Sequence, residues 1–361
     1  MSVTIDITGV PPERLVFAPS PLAELTAMLH VLAEPTHHPA LHGWATSTTA
    51  ALRPALLDRL LEAEFLWRSS RADFLLPAAP AASLAAELDA VDRIDDERYV
   101  TAALVTTCGA NRIGFVPGSP LADPLARERA RELALARGPR QAAFADRLLA
   151  DPPAVRAIVR RLLEDCAEEF FTDAWARALP TLAADARRKG DLLARRGPAE
   201  ALGAVSPAVG HDPAGSRIVI DKLQDNATSA AGGQVTFIPT LFGRPHLVVV
   251  HAAGWAPVVQ YPAAEAGHPQ PVTLDLVEQR LAALAHPIRL RLARTLARGE
   301  HTTGELAAAW RLTEPEVSRH LAVLRKAGLV GTRRRGRYVL YRLDLGTSAR
   351  LGADFLEAVL R

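Results

Sequence analysis

The spacing of apolar residues divides the chain into stretches of different period. Val3 to Ile7 alternate apolar and polar, which predicts a short strand. From Leu22 the spacing turns helical, with Leu22, Leu25, Leu29 and Leu32 on one face. A second helix is expected after Pro39, a third over Leu56–Trp67 and a fourth over Ala82–Val91. The acidic run DAVDRIDDER closes or follows the fourth. Residues 123–149 read as one or two charged amphipathic helices. Val155, Ile158, Leu162, Cys166 and Phe170 make one stripe behind an Asp151-Pro152 start signal. A helix rich in Ala and Arg then runs to Gly197-Pro198. After residue 215 short β-rich runs take over: RIVI (217–220), QVTFI (234–238), HLVVV (246–250) and PVVQY (257–261). Gly, Pro and Asn clusters separate them, as in a small antiparallel sheet.

A linker at 263–272 precedes a second helical region. Leu274, Val277, Leu281 and Leu284 form a stripe ending at His286-Pro287, and another helix runs from Pro287 to Gly299. Thr302 with Glu305 predicts a capping box opening a short helix through Trp310, and Thr313 with Glu316 predicts a second box. Pro315 sits in the first turn of that next helix, where a missing N–H costs little. Val317, Leu321 and Leu324 are its inward face, and Gly328 suits a left-handed cap. GTRRRGRYVLYRL reads as two strands around an Arg335-Gly336 turn. Helix, turn, helix and basic hairpin in this order make a winged helix-turn-helix pattern.

If Val317, Leu321 and Leu324 face inward, then Glu314, Ser318, Arg319, Ala322 and Arg325 fall on or near the outside. Candidate DNA contacts on this helix are Thr313, Glu314, Ser318, Arg319, His320 and Arg325. On the hairpin they are Arg333, Arg334, Arg335 and Arg337, suited to a narrow minor groove or its phosphates. Charge agrees. Leu284 to Arg342 holds 13 Lys and Arg against 4 Asp and Glu, so +9 locally in a chain of +2, leaving −7 elsewhere. A basic module on an acidic body is expected where one end meets a polyanion.

The segment ALAHPIRLRL…VSRHLAVLRKAGLVGTRRRGRYVLYRL resembles the winged helix-turn-helix of ArsR-type transcriptional regulators, over about a sixth of the chain. The resemblance implies a homodimer on double-stranded operator DNA, usually a repressor. It also implies dimerisation through the flanking helices, here Leu274 to Ala285 and the last helix with Leu351, Phe355 and Val359. The upstream part resembles, less specifically, an uncharacterised domain attached to such modules in some regulators from high-GC bacteria. Metal-sensing members carry thiols on the first helix of the motif, where this chain has TTGEL (302–306). The last helix lacks the Asp and His ligands of the family's other site. Neither metal site is therefore expected. Glu314 and Glu316 also depart from the usual residues. Either they accept from cytosine amino groups, or affinity comes from the wing and the dimer.

Nearly half the residues are hydrophobic, enough for real cores. Cys108 and Cys166 form no disulfide framework and no metal spacing, and read as buried thiols. The start MSVTIDITGV lacks a leader pattern, and no apolar run approaches a membrane span, so a cytoplasmic protein is expected. His38 and His42, beside His37, are four apart and could share a helix face as metal ligands do, but capping or packing explains them better. Trp44, Trp67, Trp175 and Trp255 suit core positions better than a ligand pocket. No phosphate loop, nucleophile elbow or zinc-protease motif occurs.

The fold expected is α+β, mostly α. Residues 1–262 form an α-rich regulatory or effector domain with a β segment at about 216–262. Residues 273–345 form the winged helix-turn-helix, and 346–361 a dimerisation helix. The function expected is sequence-specific transcriptional regulation by a homodimeric repressor whose N-terminal domain either senses an unknown effector, a small molecule being one candidate, or sets dimer geometry, with no cofactor and no catalysis. The alternatives are an enzyme in the N-terminal domain tethered by the winged module, and a winged module that binds protein.

Overall fold

Short β segments at both ends of the N-terminal region pair with each other, and helices fill the chain between them. The computed structural model describes residues 2–109, 119–222, 225–263, 272–336 and 338–360. The chain divides into two units, residues 1–268 and 269–361. Residues 264–271 lie outside the described residues, and most of the expected linker with them. Among the described residues no helix is long and apolar enough to cross a membrane.

The first unit begins with β1 (Ser2–Asp6) and β2 (Leu15–Phe17). Then come α1 (Pro21–Ala33), α2 (His42–Ala51), α3 (Pro54–Leu61), α4 (Leu84–Asp92) and α5 (Asp96–Thr107). They are followed by α6 (Pro124–Arg137), α7 (Pro139–Ala150), α8 (Pro152–Cys166), α9 (Thr172–Arg196) and α10 (Pro198–Gly203). Six strands close the unit: β3 (Val209–Asp212), β4 (Arg217–Asp221), β5 (Asn226–Ser229), β6 (Val235–Thr240), β7 (Val248–Val250) and β8 (Val258–Pro262).

Several local expectations need correction. The third helix stops at Leu61, and Glu64–Leu66 is a separate 3-10 turn. The acidic run does close α4, at Asp92, and Asp95 then caps α5 through the Arg98 N–H at 2.9 Å. On α8 the inward face is Val155, Val159, Leu162, Leu163 and Cys166, while Ile158 is 44% exposed. Asp151 does cap α8, accepting from Ala154 N–H at 3.0 Å.

The expected single antiparallel sheet is two mixed sheets, ordered β3-β4-β1-β5 and β2-β6-β8-β7. RIVI joins the first, and the other three runs join the second. The reason lies at the N-terminus. β1 pairs antiparallel with β4 and parallel with β5, and β2 pairs parallel with β6. β6 is buried at all six positions, as a strand covered on both faces must be.

Helix α1 runs against a large helical core. Every residue from Pro21 to Val31 is buried. A helix with no solvated face carries its polar residues inside, here Glu24, Thr26 and His30. The thiols of Cys108 and Cys166 are buried too, and burial pushes them up to about 11 and about 12, so both stay protonated and unreactive. Trp67 is a core residue, and Trp44, Trp175 and Trp255 pack partly buried against the core.

The second unit contains α11 (Leu274–Leu284), α12 (Pro287–Leu296), α13 (Thr303–Trp310), α14 (Glu314–Lys326), β9 (Val330–Arg335), β10 (Tyr338–Leu343) and α15 (Leu345–Val359). Its core joins Leu292, Leu296, Leu306, Val317, Leu321, Leu324 and Leu329. The stripe expected on α11 is rotated. Val277, Arg280 and Ala283 face inward, and Leu281 is 43% exposed. Arg280 is drawn in by Asp354 on α15, at 2.6 Å, in a pair that buries both side chains.

Candidate nucleic-acid interface

Three local devices set the attitude of α14. Both halves of the capping box at α13 form: Thr302 N–H donates to Glu305 Oε2 at 2.7 Å, and Glu305 N–H donates to Thr302 Oγ1 at 3.2 Å. Arg311 ends α13 in the left-handed conformation at φ 54°, turning the chain within three residues. Thr313 then caps α14, accepting from Glu316 N–H at 3.4 Å. The second capping box expected here forms only in this half, so Glu316 gives no reciprocal bond.

Val317, Leu321 and Leu324 are each 0% exposed, which ties one face of α14 to the core. Burying three such side chains is worth about 1.5–3 kcal/mol each. The opposite face exposes Thr313, Glu314, Ser318, Arg319, Ala322 and Arg325. Gly328 follows the helix at φ 70°, in the region a side chain resists.

Not every candidate residue is equally available. Thr313 spends an acceptor lone pair on the cap. His320 is half-buried with its ring 4.8 Å from His286, and burial followed by the His286 and Arg289 charges lowers its pKa. Glu314 folds back: a Cβ placed on Gly304 would lie 3.3 Å from its Oε1, so the carboxylate rests beside the first turn of α13. A helix N-terminus favours that negative charge.

The wing is a regular antiparallel pair, with Arg335 opposite Tyr338, Arg334 opposite Val339 and Arg333 opposite Leu340. Arg333, Arg334 and Arg335 are all exposed. Arg333 is paired with Glu300, while among the described residues Arg334 and Arg335 carry no ion pair. Arg337 lies outside the described residues. His301 anchors the hairpin base: its N–H donates to Tyr341 O at 3.0 Å, and Tyr341 N–H donates back at 2.8 Å.

Sequence reasoning missed Glu300 and His301. Both sit just before the capping box, where residue type gives no sign of hairpin partners 33 and 40 residues on. It also missed Leu345 and Leu356, exposed at 60% and 40% on α15 beside Phe355 at 41% and Val359 at 38%.

A capped helix, a three-residue turn, a second helix with a solvated polar face and a basic hairpin define a winged helix-turn-helix module. Residues 286–332 match the model of the bacterial regulatory proteins of the arsR family, in agreement with the resemblance. The chain as a whole belongs to the family of unknown function DUF5937, whose model matches residues 1–267. The chain is 51% identical over 71 residues to the biofilm growth-associated repressor of Agrobacterium fabrum, covering 20% of this chain and 61% of that protein. It therefore spans less than two thirds of that relative. It is 41% identical over 90 residues to the transcriptional repressor SmtB homolog of Synechocystis sp., covering 24% of this chain and 68% of that protein. Among solved structures, the transcriptional repressor BigR from Xylella fastidiosa shares 39% identity, with a TM-score of 0.20, over 22% of this chain and 82% of that one.

Proposed function

We propose that this protein is a homodimeric, DNA-binding transcriptional repressor of the ArsR type, acting in the cytoplasm without catalytic activity. One observation carries the reading. α14 is fixed by a fully buried apolar face and offers Ser318, Arg319 and Arg325 on the other, beside Arg334 and Arg335 on the wing. A groove that admits one helix can take such a face, with the wing on flanking phosphates. The relatives of this module are named repressors, which supports the sign of regulation and counts against an enzyme.

Dimerisation is supported by apolar side chains turned to solvent on α11 and α15, among them Leu281, Phe355 and Leu356. A second copy would cover them and place two α14 helices on a two-fold operator. Residues 1–262 act as the regulatory domain, sensing a small-molecule effector or setting dimer geometry by favouring one DNA-competent state. Residues 273–345 are the DNA-binding domain and 346–361 the dimerisation helix.

The test is binding of the full-length protein to the DNA upstream of its own gene, beside scrambled DNA of equal length. A preference of about a thousandfold or more is expected. Equal, weak binding to these DNAs and to every fragment of a genomic selection would overturn the reading.

A further inference from the structure

Four imidazoles converge inside the first unit. His30 comes from the buried helix α1, His37 and His38 from the short turn after it, and His246 from the loop between β6 and β7. Ring centroids lie 4.8 Å apart for His30 and His246, 5.5 Å for His37 and His246, and 5.9 Å for His30 and His37. One ring nitrogen from each of His30, His37 and His246 falls within 4.8 Å of the other two. His38 stands beside them, 5.0 Å from His30. His42, the residue that sequence spacing pairs with His38, is exposed at the start of α2 and outside the group.

The hydrogen bonds around these rings fix which nitrogen of His30 and of His38 carries the proton. His30 Nδ1 lies 3.0 Å from the Trp67 carbonyl, which can only accept. Nδ1 is therefore the protonated nitrogen, and Nε2 presents a lone pair. His38 is held in the same way by the Arg244 carbonyl, at 2.5 Å. His30 is 6% exposed and His38 2%. Neither Nε2 has a hydrogen-bond partner among the described residues, and neither does His37 Nδ1. A buried acceptor left without a partner is costly, so this grouping is unfavourable unless something shared accepts the lone pairs.

We propose that His30, His37 and His246 bind a divalent transition-metal ion of the zinc class. An all-imidazole donor set suits zinc, cobalt, nickel or copper and not the oxygen-seeking magnesium or calcium. Three histidines leave a fourth position of the tetrahedron open. The Trp67 carbonyl orients His30 as an outer partner orients a ligand, and the Arg244 carbonyl does so for the adjoining His38. His30 spends Nδ1–H on the Trp67 carbonyl, which leaves its Nε2 lone pair for the ion. Arg71, itself 7% exposed, sets a positive charge near the group. The buried Glu24 carboxylate offsets it in part, and an anionic fourth ligand would offset it further. The site is independent of the DNA-binding reading.

The test uses full-length protein stripped with a chelator and titrated with Co(II), then Zn(II). His37→Gln and His246→Gln are measured beside it, with His320→Gln in the other unit as the control. One ion per chain is expected, with the strong visible bands of low-coordinate cobalt, displaced by zinc. His37→Gln and His246→Gln should each weaken binding at least about tenfold, while His320→Gln should not. X-ray absorption of the zinc-loaded wild type should count three imidazole ligands, a readout that stands even if a variant fails to fold. No retained metal in the wild type, fewer than three imidazoles, or unchanged affinity in both folded variants would overturn the proposal.

Discussion

In the winged unit, α14 buries three apolar side chains and turns its charges to solvent. In the first unit, α1 is buried along its length and takes Glu24 and His30 inside with it. Two ion pairs repeat it, although the first unit also carries surface pairs such as Arg131 with Asp146. Arg333 and Glu300 meet at the surface, whereas Asp185 and Lys189 are 1% and 2% exposed. A surface charge can be handed to a polyanion at little cost to the fold, and its effect is screened by salt. An interior charge ties stability to its partner and to its ionisation. The exposed charges of the winged unit are thus open to an outside ligand, whereas the buried pair of Asp185 and Lys189 ties the first unit's stability to both partners. Arg280 with Asp354 is the winged unit's exception, and it clamps α11 to α15.

The largest expected effect is in the first unit's interior. Lys189 Nζ donates to Asp185 at 2.6 and 2.7 Å, and Tyr261 donates to the same carboxylate at 3.0 Å. Asp185→Ala strands a buried ammonium, and urea unfolding should show a loss of about 3–5 kcal/mol in the first unit. A loss under 1 kcal/mol would mean that water reaches this pair.

Next comes pH. Glu87 accepts from Ser20 Oγ, Leu22 N–H and Ala81 N–H at 2.8–2.9 Å, yet burial outweighs these donors and raises its pKa from 4.5 to about 7. The folded state thus holds this proton more tightly than the unfolded chain. The stability it gives is complete below pH 4.5 and is lost as pH rises through 7. Between pH 5 and 8 the wild type should lose roughly 2–3 kcal/mol more than Glu87→Gln, measured by urea unfolding at each pH. Parallel curves would contradict the shift.

Capping at the surface is worth less. Thr302→Ala removes one half of the capping box and should cost about 1 kcal/mol in the winged unit's thermal transition. Smallest is Glu300→Ala, which releases Arg333. Exposed pairs are worth about 0–1 kcal/mol, so stability should barely move. The salt dependence of DNA binding should steepen by about one phosphate contact. An unchanged slope would show that Arg333 does not reach DNA.

The same contrast explains what could be read from the sequence. Thr302 and Glu305 are three residues apart, and Val317, Leu321 and Leu324 share one helix, so cap and inward face follow from local spacing. The sheets do not. β1 finds β4 and β5 at the far end of the first unit, and parallel pairing leaves no local mark. His30 sits in MLHVL and reads as a gap in an apolar stripe, while its neighbour His246 opens a run that reads as a strand. Histidine spacing pointed instead to His42, which is exposed. Within the interface, neither Glu314 folding back on Gly304 nor Arg333 pairing with Glu300 could be seen, because each depends on a side chain's choice among neighbours.

The central claim is that the exposed face of α14 reads base sequence. Its most direct test is the affinity of wild type and Arg319→Ala for the operator and for scrambled DNA at several salt concentrations. Arg319→Ala should weaken operator binding by about 1–3 kcal/mol and leave scrambled binding within severalfold, so the preference narrows. An equal loss on both DNAs would make Arg319 a phosphate contact and contradict base reading by it, and no loss on either would remove Arg319 from the interface.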